Sequence, residues 1–315
     1  MLAKQPGITS FSALWQIKDA LKTKKTGHTG TLDTFADGLL VALTGRYTRL
    51  VPFITDCDKE YIAFVAFGSE TDTLDPEGTV TKTGPLPDLP SVTCALNAFR
   101  GEIEQTPPLY SAVHVDGKRA SDRTRGGETV ALEPRKIVIH SIEIESTVTV
   151  RENERELIQG AVLRVVCSKG TYVRSLARDI AAACGTYAHL AALRRTRIGP
   201  FSLEKAAGAA MLPPFSPEIR YQFGKGERPP RAEASDIRSS LIPFTRDISA
   251  IIGLPPLELV PDKREAFLRG MKMDASWFLS APFDRQAVFC GSEFMGAVVA
   301  GKDRLTYAFV FGGAP

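Results

Sequence analysis

The segment Lys25-Thr26-Gly27-His28-Thr29-Gly30-Thr31-Leu32-Asp33 holds the most informative residues of this 315-residue chain. Two glycines flank a histidine, and an aspartate follows a single leucine. Glycine-rich turns let backbone N–H groups approach a ligand closely, so the segment is a candidate binding turn. The same pattern also fits a tight surface turn in which Asp33 caps a helix or is solvated. The interpretation therefore depends on the residues around it.

Helical and strand patterns alternate irregularly on both sides of this turn. Upstream, apolar residues recur at helical spacing from Phe11 to Leu21, and Ser10 precedes them as a helix cap. Downstream, β-branched runs predict strands, and amphipathic stretches that end at glycines predict helices. The predicted helices are 10–24, 91–100 and 172–184, and the predicted strands are 61–68, 136–150 and 157–167. Because no regular strand–helix–strand unit repeats, we predict an α+β fold.

The composition of the sequence changes between Leu212 and Pro243, where six of the 21 prolines fall within 32 residues. Such a proline-rich stretch marks a domain boundary. After it, short β-like runs separated by glycines predict a small β-rich unit. We therefore predict a larger domain over residues 1–212, a linker over 213–245 and a small C-terminal domain over 246–315.

The composition is that of an ordinary globular protein. Hydrophobic residues make up 43% of the chain and charged residues 24%, which is enough apolar material for a sizeable core. No run approaches the roughly 18 apolar residues of a membrane span, and the first residues lack the apolar stretch of a signal peptide. The five cysteines form no CxxC pair. We expect a cytoplasmic protein with no membrane contact, no disulfide framework and no zinc site.

Motifs for cofactors are absent from the sequence as well. The chain has no GxxxxGK[ST] phosphate loop, no HExxH metal motif and no GxSxG nucleophile turn. Gly224 and Gly226 lack a third glycine and follow no strand, so they do not predict dinucleotide binding. We expect no metal and no nucleotide cofactor, and chemistry carried by carboxylate, tyrosine, lysine or arginine side chains.

Six sequence blocks resemble the TruB family of tRNA pseudouridine synthases and follow the family's order. The segment from Gly27 to Asp33 is similar to the one in which that family carries its catalytic aspartate. That block continues with Gly38-Leu39-Leu40. The other five matching blocks are Lys4 to Ser10, Lys59-Glu60-Tyr61, Gln105 to Ala112 with Gly117-Lys118-Arg119, Cys167 to Arg174, and His189-Leu190 with Leu193-Arg194-Arg195. Thr34 and Asp37 depart from the family pattern, which usually has proline and threonine there. We expect these departures to affect substrate preference more than reaction class.

The resemblance implies a pseudouridine synthase fold, with a mixed, mainly antiparallel β-sheet core flanked by helices. A small C-terminal β-rich domain of the PUA type would follow it. Residues 1–212 would then form the catalytic domain, and residues 105–133 would form a loop that grips RNA.

The reaction that the resemblance implies is the isomerisation of a tRNA T-loop uridine, conventionally at position 55, to pseudouridine. The bond from ribose C1′ to uracil N1 breaks, the uracil turns, and C5 is joined to C1′. One carboxylate is required, either to stabilise an oxocarbenium-like sugar or to take a proton towards a glycal. Because the target uridine is buried in the folded T-loop, it must first be extruded, at a cost on the order of a few kcal/mol.

Four residues are matched to catalytic positions of the family. Asp33 would be the catalytic carboxylate, and Arg174 would be the cation that keeps it charged in a closed site. Tyr61 would stack on the flipped uracil and be placed to take the C5 proton, and Tyr172 would support the base or the carboxylate. Without the resemblance, Arg174 fits a surface helix arginine, and both tyrosines fit ordinary packing residues.

Eight residues are matched to substrate-binding positions. His28 would occupy the place vacated by the flipped base, and the alternative is a histidine bonded to its own turn. Leu193 would form an apolar wall of the uracil pocket, and the alternative is a core leucine. The remaining residues are Lys4, Thr31 and Lys169 near the site, and Lys118, Arg119 and Arg125 in the loop, where cations would contact phosphates. We expect the partner to be the tRNA T-arm and the protein to be a monomer.

Three other functions are alternatives to this one. They are a tRNA-binding and folding protein, a related synthase that acts on other RNA, and a glycosidase-like hydrolase that pairs Asp33 with Asp37. The joint presence of Asp33, Tyr61 and Arg174 argues against a protein that has lost catalysis. The short tail without long basic extensions argues against the second alternative. Gly38 and the preceding turn argue against one helix face shared by the two aspartates.

The net charge of +3, from 39 basic and 36 acidic residues, hides an uneven distribution. Residues 164–205 carry eight basic and two acidic residues, or +6, and residues 1–50 carry seven and three, or +4. Residues 56–77 carry one basic and seven acidic residues, or −6. Because the two basic segments bear the site motifs, we predict a basic cleft on an otherwise balanced surface.

Overall fold

The computed structural model describes residues 1–111, 113–115, 117–128, 130–216, 229–301 and 304–311. In chain order the strands are β1 (Leu2–Lys4), β2 (Thr26–His28), β3 (Asp37–Leu40), β4 (Ala42–Thr44), β5 (Lys59–Phe67), β6 (Ser69–Thr71), β7 (Val80–Thr83), β8 (Gly101–Gln105), β9 (His114–Val115), β10 (Lys118–Arg119), β11 (Arg135–Glu152), β12 (Arg155–Cys167), β13 (Ala188–Ile198), β14 (Phe201–Ser202), β15 (Pro256–Glu258), β16 (Arg285–Cys290), β17 (Glu293–Ala300) and β18 (Leu305–Val310). The α-helices are α1 (Ser10–Ala20), α2 (Val51–Thr55), α3 (Leu89–Ala98), α4 (Ala120–Arg125), α5 (Val173–Ala183), α6 (Ala234–Ser239), α7 (Arg246–Ile251) and α8 (Arg264–Leu268). Within these residues, no helix has the length and apolar character needed to cross a membrane.

The central sheet has the strand order β1-β3-β13-β5-β12-β11-β8, with β14 attached to β13. Neighbours on this path are antiparallel except β3 and β13, which run parallel. Tyr61 begins the apolar part of β5, opposite Val165 of β12 and Arg195 of β13. The α+β class and the mixed, mainly antiparallel sheet predicted from the sequence are confirmed.

One face of this sheet packs against α3 and α5 through a large buried apolar cluster. Ala63 and Val65 of β5 lie in this cluster with Leu176 and Ile180 of α5, whose apolar residues recur at helical spacing. Helix α5 ends as predicted, with Gly185 at φ +71° directly after its cap. This packing places the first turn of α5 beside the first residues of β5.

The start of α1 differs from the sequence prediction. The cap is Thr9, whose side chain accepts a hydrogen bond from Ser12 N at 3.0 Å, so the assignment of Ser10 as the cap is wrong. Ser10 Oγ instead donates to Leu32 O at 3.1 Å and accepts from Leu32 N at 2.8 Å. Its hydroxyl therefore ties α1 to the turn that precedes Asp33.

The segment predicted as a linker contains helix α6, which packs against α1. Ile237 of α6 is buried in one cluster with Leu14 and Ile17, and Arg238 donates to Ala20 O at 3.0 Å. Residues 217–228 of the segment lie outside the described residues. Beyond it, strands β15-β16-β17-β18 form the C-terminal sheet, in keeping with the predicted β-rich unit. The domain boundaries themselves stay predictions.

The C-terminal sheet shares an apolar cluster with the first fifty residues of the chain. Leu39 and Val41, in and just after β3, lie in this cluster with Phe294 of β17. Arg46 and Arg49 donate hydrogen bonds to backbone carbonyls at and just after the end of β18. The C-terminal unit is therefore packed directly on the chain that leads away from the turn at Asp33.

Gly38 lies where β3 meets β13, and it leaves no room for a side chain. Its φ is +107°, and a Cβ built there would lie 2.4 Å from the backbone O of Arg195. We expect Gly38→Ala to lower the free energy of unfolding by about 3 kcal/mol or more, because backbone strain adds to overpacking. Gly45→Ala is the matched control, since Gly45 has φ +57° and open space around it, and should cost only about 1–2 kcal/mol. Urea denaturation of both variants measures this difference, and equal losses would contradict the packing argument.

Candidate active site

A cavity of about 330 Å³ opens between the turn at residues 29–33, the start of β5 and the first turn of α5. The structure brings half of the twelve candidate residues to its lining. These are Thr31, Asp33, Tyr61, Tyr172, Arg174 and Leu193. Four separate elements supply them, so their convergence is a product of the sheet topology and not of sequence proximity.

Arg174 binds Asp33 through two parallel contacts. Its Nε lies 2.9 Å from Asp33 Oδ2, and its Nη2 donates to Oδ1 at 3.0 Å. The guanidinium also donates to Thr73 O at 2.9 Å and to Tyr110 O at 3.0 Å. Arg174 is 5% exposed, whereas the Asp33 side chain keeps 35% of its surface accessible. The Arg174 guanidinium is therefore buried against protein groups, whereas the Asp33 carboxylate is accessible from the cavity.

Asp75 is a second carboxylate that contacts Arg174. Its Oδ2 lies 3.4 Å from Arg174 Nη1, and its Oδ1 accepts hydrogen bonds from Thr73 Oγ1 at 2.6 Å and Glu77 N at 3.0 Å. Burial raises the pKa of Asp75, and the hydrogen bond from Thr73 and the charge of Arg174 oppose that rise. Asp75 was not among the predicted site residues, because no spacing rule connects it with Asp33 or Arg174. The acidic excess of residues 56–77 was the available signal.

Lys4 lies outside the cavity lining, beneath the chain that follows Asp33. The side chain is fully buried, and Nζ donates to three backbone carbonyls, those of Ala36 at 2.7 Å, Gln5 at 3.0 Å and Thr34 at 3.3 Å. Burial lowers the pKa of Lys4 to about 8, against the opposing effect of nearby carboxylates. Lys4 therefore fixes the backbone around the turn.

The lowered pKa of Lys4 makes its contribution to stability depend on pH. Between about pH 8 and the value of 10.5 for an unfolded lysine, the folded state binds fewer protons than the unfolded state. The contribution of Lys4 to the free energy of unfolding should therefore increase as pH rises through this window. We expect the free energy of unfolding of the wild type to rise, relative to that of Lys4→Met, by up to about 1.4 kcal/mol per pH unit. Urea denaturation of both proteins across the window measures this change. A difference in free energy of unfolding that does not vary with pH would rule out the lowered pKa of Lys4.

Arg195 fastens the turn before Asp33. It is fully buried, and it donates from Nε to Leu39 O at 2.9 Å and from Nη2 to Gly30 O at 3.1 Å. His28 lies outside the cavity lining, and its Nδ1 accepts a hydrogen bond from Gly30 N at 3.4 Å. Burial and the charge of Arg195 lower the pKa of His28, so its half-buried imidazole is neutral at pH 7. The sequence analysis quoted Arg195 within a matching block without assigning it a role.

Tyr61 and Tyr172 line the cavity from different elements. Burial raises the pKa of both phenols, so each presents a neutral hydroxyl at pH 7. The backbone N of Tyr172 donates to Gln105 Oε1 at 2.8 Å, which ties the start of α5 to the end of β8.

Lys59 is a further lining residue to which the sequence analysis gave no role. Its Nζ donates to the backbone carbonyls of Cys57, at 2.6 Å, and Thr55. Burial and the charge of Arg195 lower its pKa. Among the lining residues that the structure describes, Lys59, Arg174 and Arg195 are basic and Asp33 is acidic. All three cations are buried and bonded to protein groups, so the basic cleft stays a prediction.

The other cationic candidates lie away from the cavity lining. Lys169 is exposed, and its Nζ lies 2.9 Å from Asp56 Oδ2. Lys118 in β10 and Arg125 at the end of α4 are exposed as well. The side chain of Arg119 lies outside the described residues.

Asp37 does not share the cavity with Asp33. It is buried, and Arg194 donates to its two carboxylate oxygens at 2.7 Å each. The carboxylate pair that a glycosidase-like hydrolase would need is therefore not assembled.

Known proteins resemble this chain over most of its length. Residues 18–173 match the family model described as TruB family pseudouridylate synthase (N terminal domain). Residues 174–212 match the model described as tRNA pseudouridylate synthase B C-terminal domain. The tRNA pseudouridine synthase B of Treponema denticola is 39% identical, over 98% of this chain and 96% of the relative. That of Bordetella avium is 44% identical, over 65% of this chain and 82% of the relative.

Solved structures share the fold at lower identity. A crystal structure of a Cbf5-Nop10-Gar1 complex matches with a TM-score of 0.65 and 23% identity, over 98% of this chain and 83% of that one. A structure of an H/ACA RNP bound to a substrate RNA containing 2′-deoxyuridine matches with a TM-score of 0.63 and 20% identity, over 99% and 84%. These matches confirm the predicted pseudouridine synthase fold. With 39% identity along almost its whole length, the chain belongs to the TruB family of tRNA pseudouridine synthases.

Proposed function

We propose that this chain isomerises the T-loop uridine of tRNA, at the position conventionally numbered 55, to pseudouridine. The observation that carries the proposal is the Asp33 carboxylate, which buried Arg174 holds at both oxygens and which still faces a cavity. The names of the relatives, which are tRNA pseudouridine synthases, support the choice of RNA.

Asp33 is the group that acts on the sugar. A hydrogen bond from Arg174 Nη2 and a close ionic contact from its Nε position the carboxylate, and each oxygen keeps lone pairs for the ribose. Asp75 pairs with Nη1 of the same guanidinium, so Arg174 and Asp33 are oriented before the substrate binds. From this position Asp33 either stabilises an oxocarbenium-like sugar or removes the C2′ proton towards a glycal.

The cavity receives the extruded uracil. Its volume of about 330 Å³ is at the small end of the roughly 300–1,000 Å³ range of ligand pockets, which suits a single nucleoside. Tyr61 stacks on the base, and Leu193 forms an apolar wall. Base stacking on an aromatic ring contributes roughly 1–3 kcal/mol, enough to offset much of the cost of extrusion.

Residues outside the cavity bind the rest of the T-arm. His28, neutral at pH 7, fills the gap that the flipped base leaves in the loop. Exposed Lys118, Arg125 and Lys169 contact phosphates, so binding should weaken as salt concentration rises.

A tritium-release assay tests the proposal. The substrate is a T-arm hairpin whose uridines carry tritium at C5, and the assay follows release of the label to water. We expect release from the wild-type protein, no free uracil, and no release from a hairpin with cytidine at position 55. Absence of release would refute the isomerase assignment, free uracil would indicate hydrolysis, and release from the cytidine hairpin would refute the position.

A further inference from the structure

Helix α1 carries an exposed aromatic and basic surface that the proposed chemistry leaves unused. Phe11 and Trp15 are 62% and 59% exposed, on successive turns of the helix. The Nζ of Lys18 lies 5.2 Å from the centroid of the Phe11 ring and 4.9 Å from that of Trp15. We call Phe11, Trp15 and Lys18 the α1 stripe. The helix is anchored by its opposite face, so the stripe contributes little to the core.

The α1 stripe begins beside the candidate active site. Ser10, the residue before Phe11, bonds both backbone atoms of Leu32, and Leu32 and Asp33 line the cavity. At its other end, α1 leads through Lys22, Lys24 and Lys25 to His28. A polymer bound at the cavity therefore has a short path to the stripe.

The charge around the stripe favours an anionic partner. Lys18 lies within the stripe, and exposed Lys22, Lys24 and Lys25 follow directly after α1. Asp19 is the single acidic residue of α1, and Lys22 pairs with it at 2.8 Å. A basic protein surface would be repelled by these lysines, whereas the phosphates of a nucleic acid would be attracted to them.

We propose that the α1 stripe stacks an unpaired nucleotide of the RNA substrate, outside the uridine that enters the cavity. The inference rests on the proposed function, because it requires an RNA substrate. The rings of Phe11 and Trp15 offer a surface for the π face of a base, and the ammonium of Lys18 neutralises the adjacent phosphate. Every base presents such a face, so the contact adds affinity with little sequence preference.

Tryptophan fluorescence gives a direct test. The chain has two tryptophans, and Trp277 is buried in the C-terminal unit, so a change caused by RNA reports on Trp15. Asp33→Asn protein is titrated with full-length unmodified tRNA, and filter binding measures the Kd independently. We expect quenching that saturates at the same Kd and is lost in the Trp15→Phe variant of this protein.

Steady-state kinetics in the tritium assay give the second readout. We expect Phe11→Ala and Trp15→Ala each to raise KM for full-length tRNA about 5- to 150-fold at unchanged kcat, the fold-change equivalent to losing one stacked base. Trp15→Phe should stay near the wild-type KM, because it keeps a ring. Phe283→Ala is the matched control, since Phe283 is 58% exposed in the C-terminal unit, and should leave KM unchanged.

The two proposals fail separately. Bound tRNA without quenching of Trp15, or an unchanged KM in both alanine variants, overturns the stacking proposal and points to a protein partner for this face. Quenching without tritium release overturns the isomerase assignment and leaves the stacking contact standing. Absence of tRNA binding by filter assay overturns both.

Discussion

Asp33→Asn should abolish tritium release from the T-arm hairpin and leave the protein folded. The substitution removes the negative charge that the sugar chemistry requires, while a side chain of the same shape stays beside Arg174. Loss of a positioned acid–base group costs about 10²–10⁴-fold in rate, and we expect at least this loss because one carboxylate carries the reaction. Because the Asp33 side chain is one-third exposed, the free energy of unfolding should change little.

Asp56→Asn is the matched control for this experiment. Asp56 is an exposed aspartate that pairs with Lys169 outside the cavity lining. Its amide variant should release tritium at nearly the wild-type rate. Full release by Asp33→Asn, or an equal loss in both variants, would withdraw the catalytic assignment.

Arg174→Met should weaken both folding and catalysis, for reasons that can be separated. The variant leaves buried Asp75 without its cation, and breaking a buried ion pair costs roughly 3–5 kcal/mol of folding stability. It also removes the hydrogen bond and the ionic contact with which Arg174 positions the Asp33 carboxylate. We expect a lower urea midpoint together with loss of tritium release.

A second substitution in the same background distinguishes the two effects. Asp75→Asn removes the uncompensated charge, so the double variant with Arg174→Met should recover much of the lost stability but none of the activity. Arg174→Lys keeps a charge but loses the planar fork, so it should restore stability better than tritium release. A double variant as unstable as Arg174→Met alone would show that the buried charge is not the cause.

Helices and strands that follow a local periodic pattern were predicted correctly from the sequence. Helix α5 has apolar residues at helical spacing and a glycine after its last turn, and both signals are local. The matching block from Cys167 to Arg174 then assigned its first turn to the site. The same holds for the strand that carries Tyr61, because a run of apolar residues identifies a buried strand without knowledge of its partners.

Contacts between distant parts of the chain were not readable in this way. Asp75 meets Arg174 across 99 residues and Lys4 meets Ala36 across 32, because the tertiary fold brings them together. No periodicity encodes such pairs. The prediction that Ser10 caps α1 was wrong for a related reason. Ser10 has a suitable side chain for a cap, but its hydroxyl bonds the backbone of Leu32 instead.

The apolar cluster shared by the first fifty residues and the C-terminal sheet has a consequence for synthesis on the ribosome. Leu39 and Val41 share it with Phe289 and Phe294, and about 250 residues separate Leu39 from Phe289. At about 5–20 residues per second, these partners emerge roughly 10–50 seconds after Leu39 does. We therefore expect the strand that follows the Asp33 turn to stay incompletely covered during translation, and the turn itself to become rigid only when the chain is nearly finished.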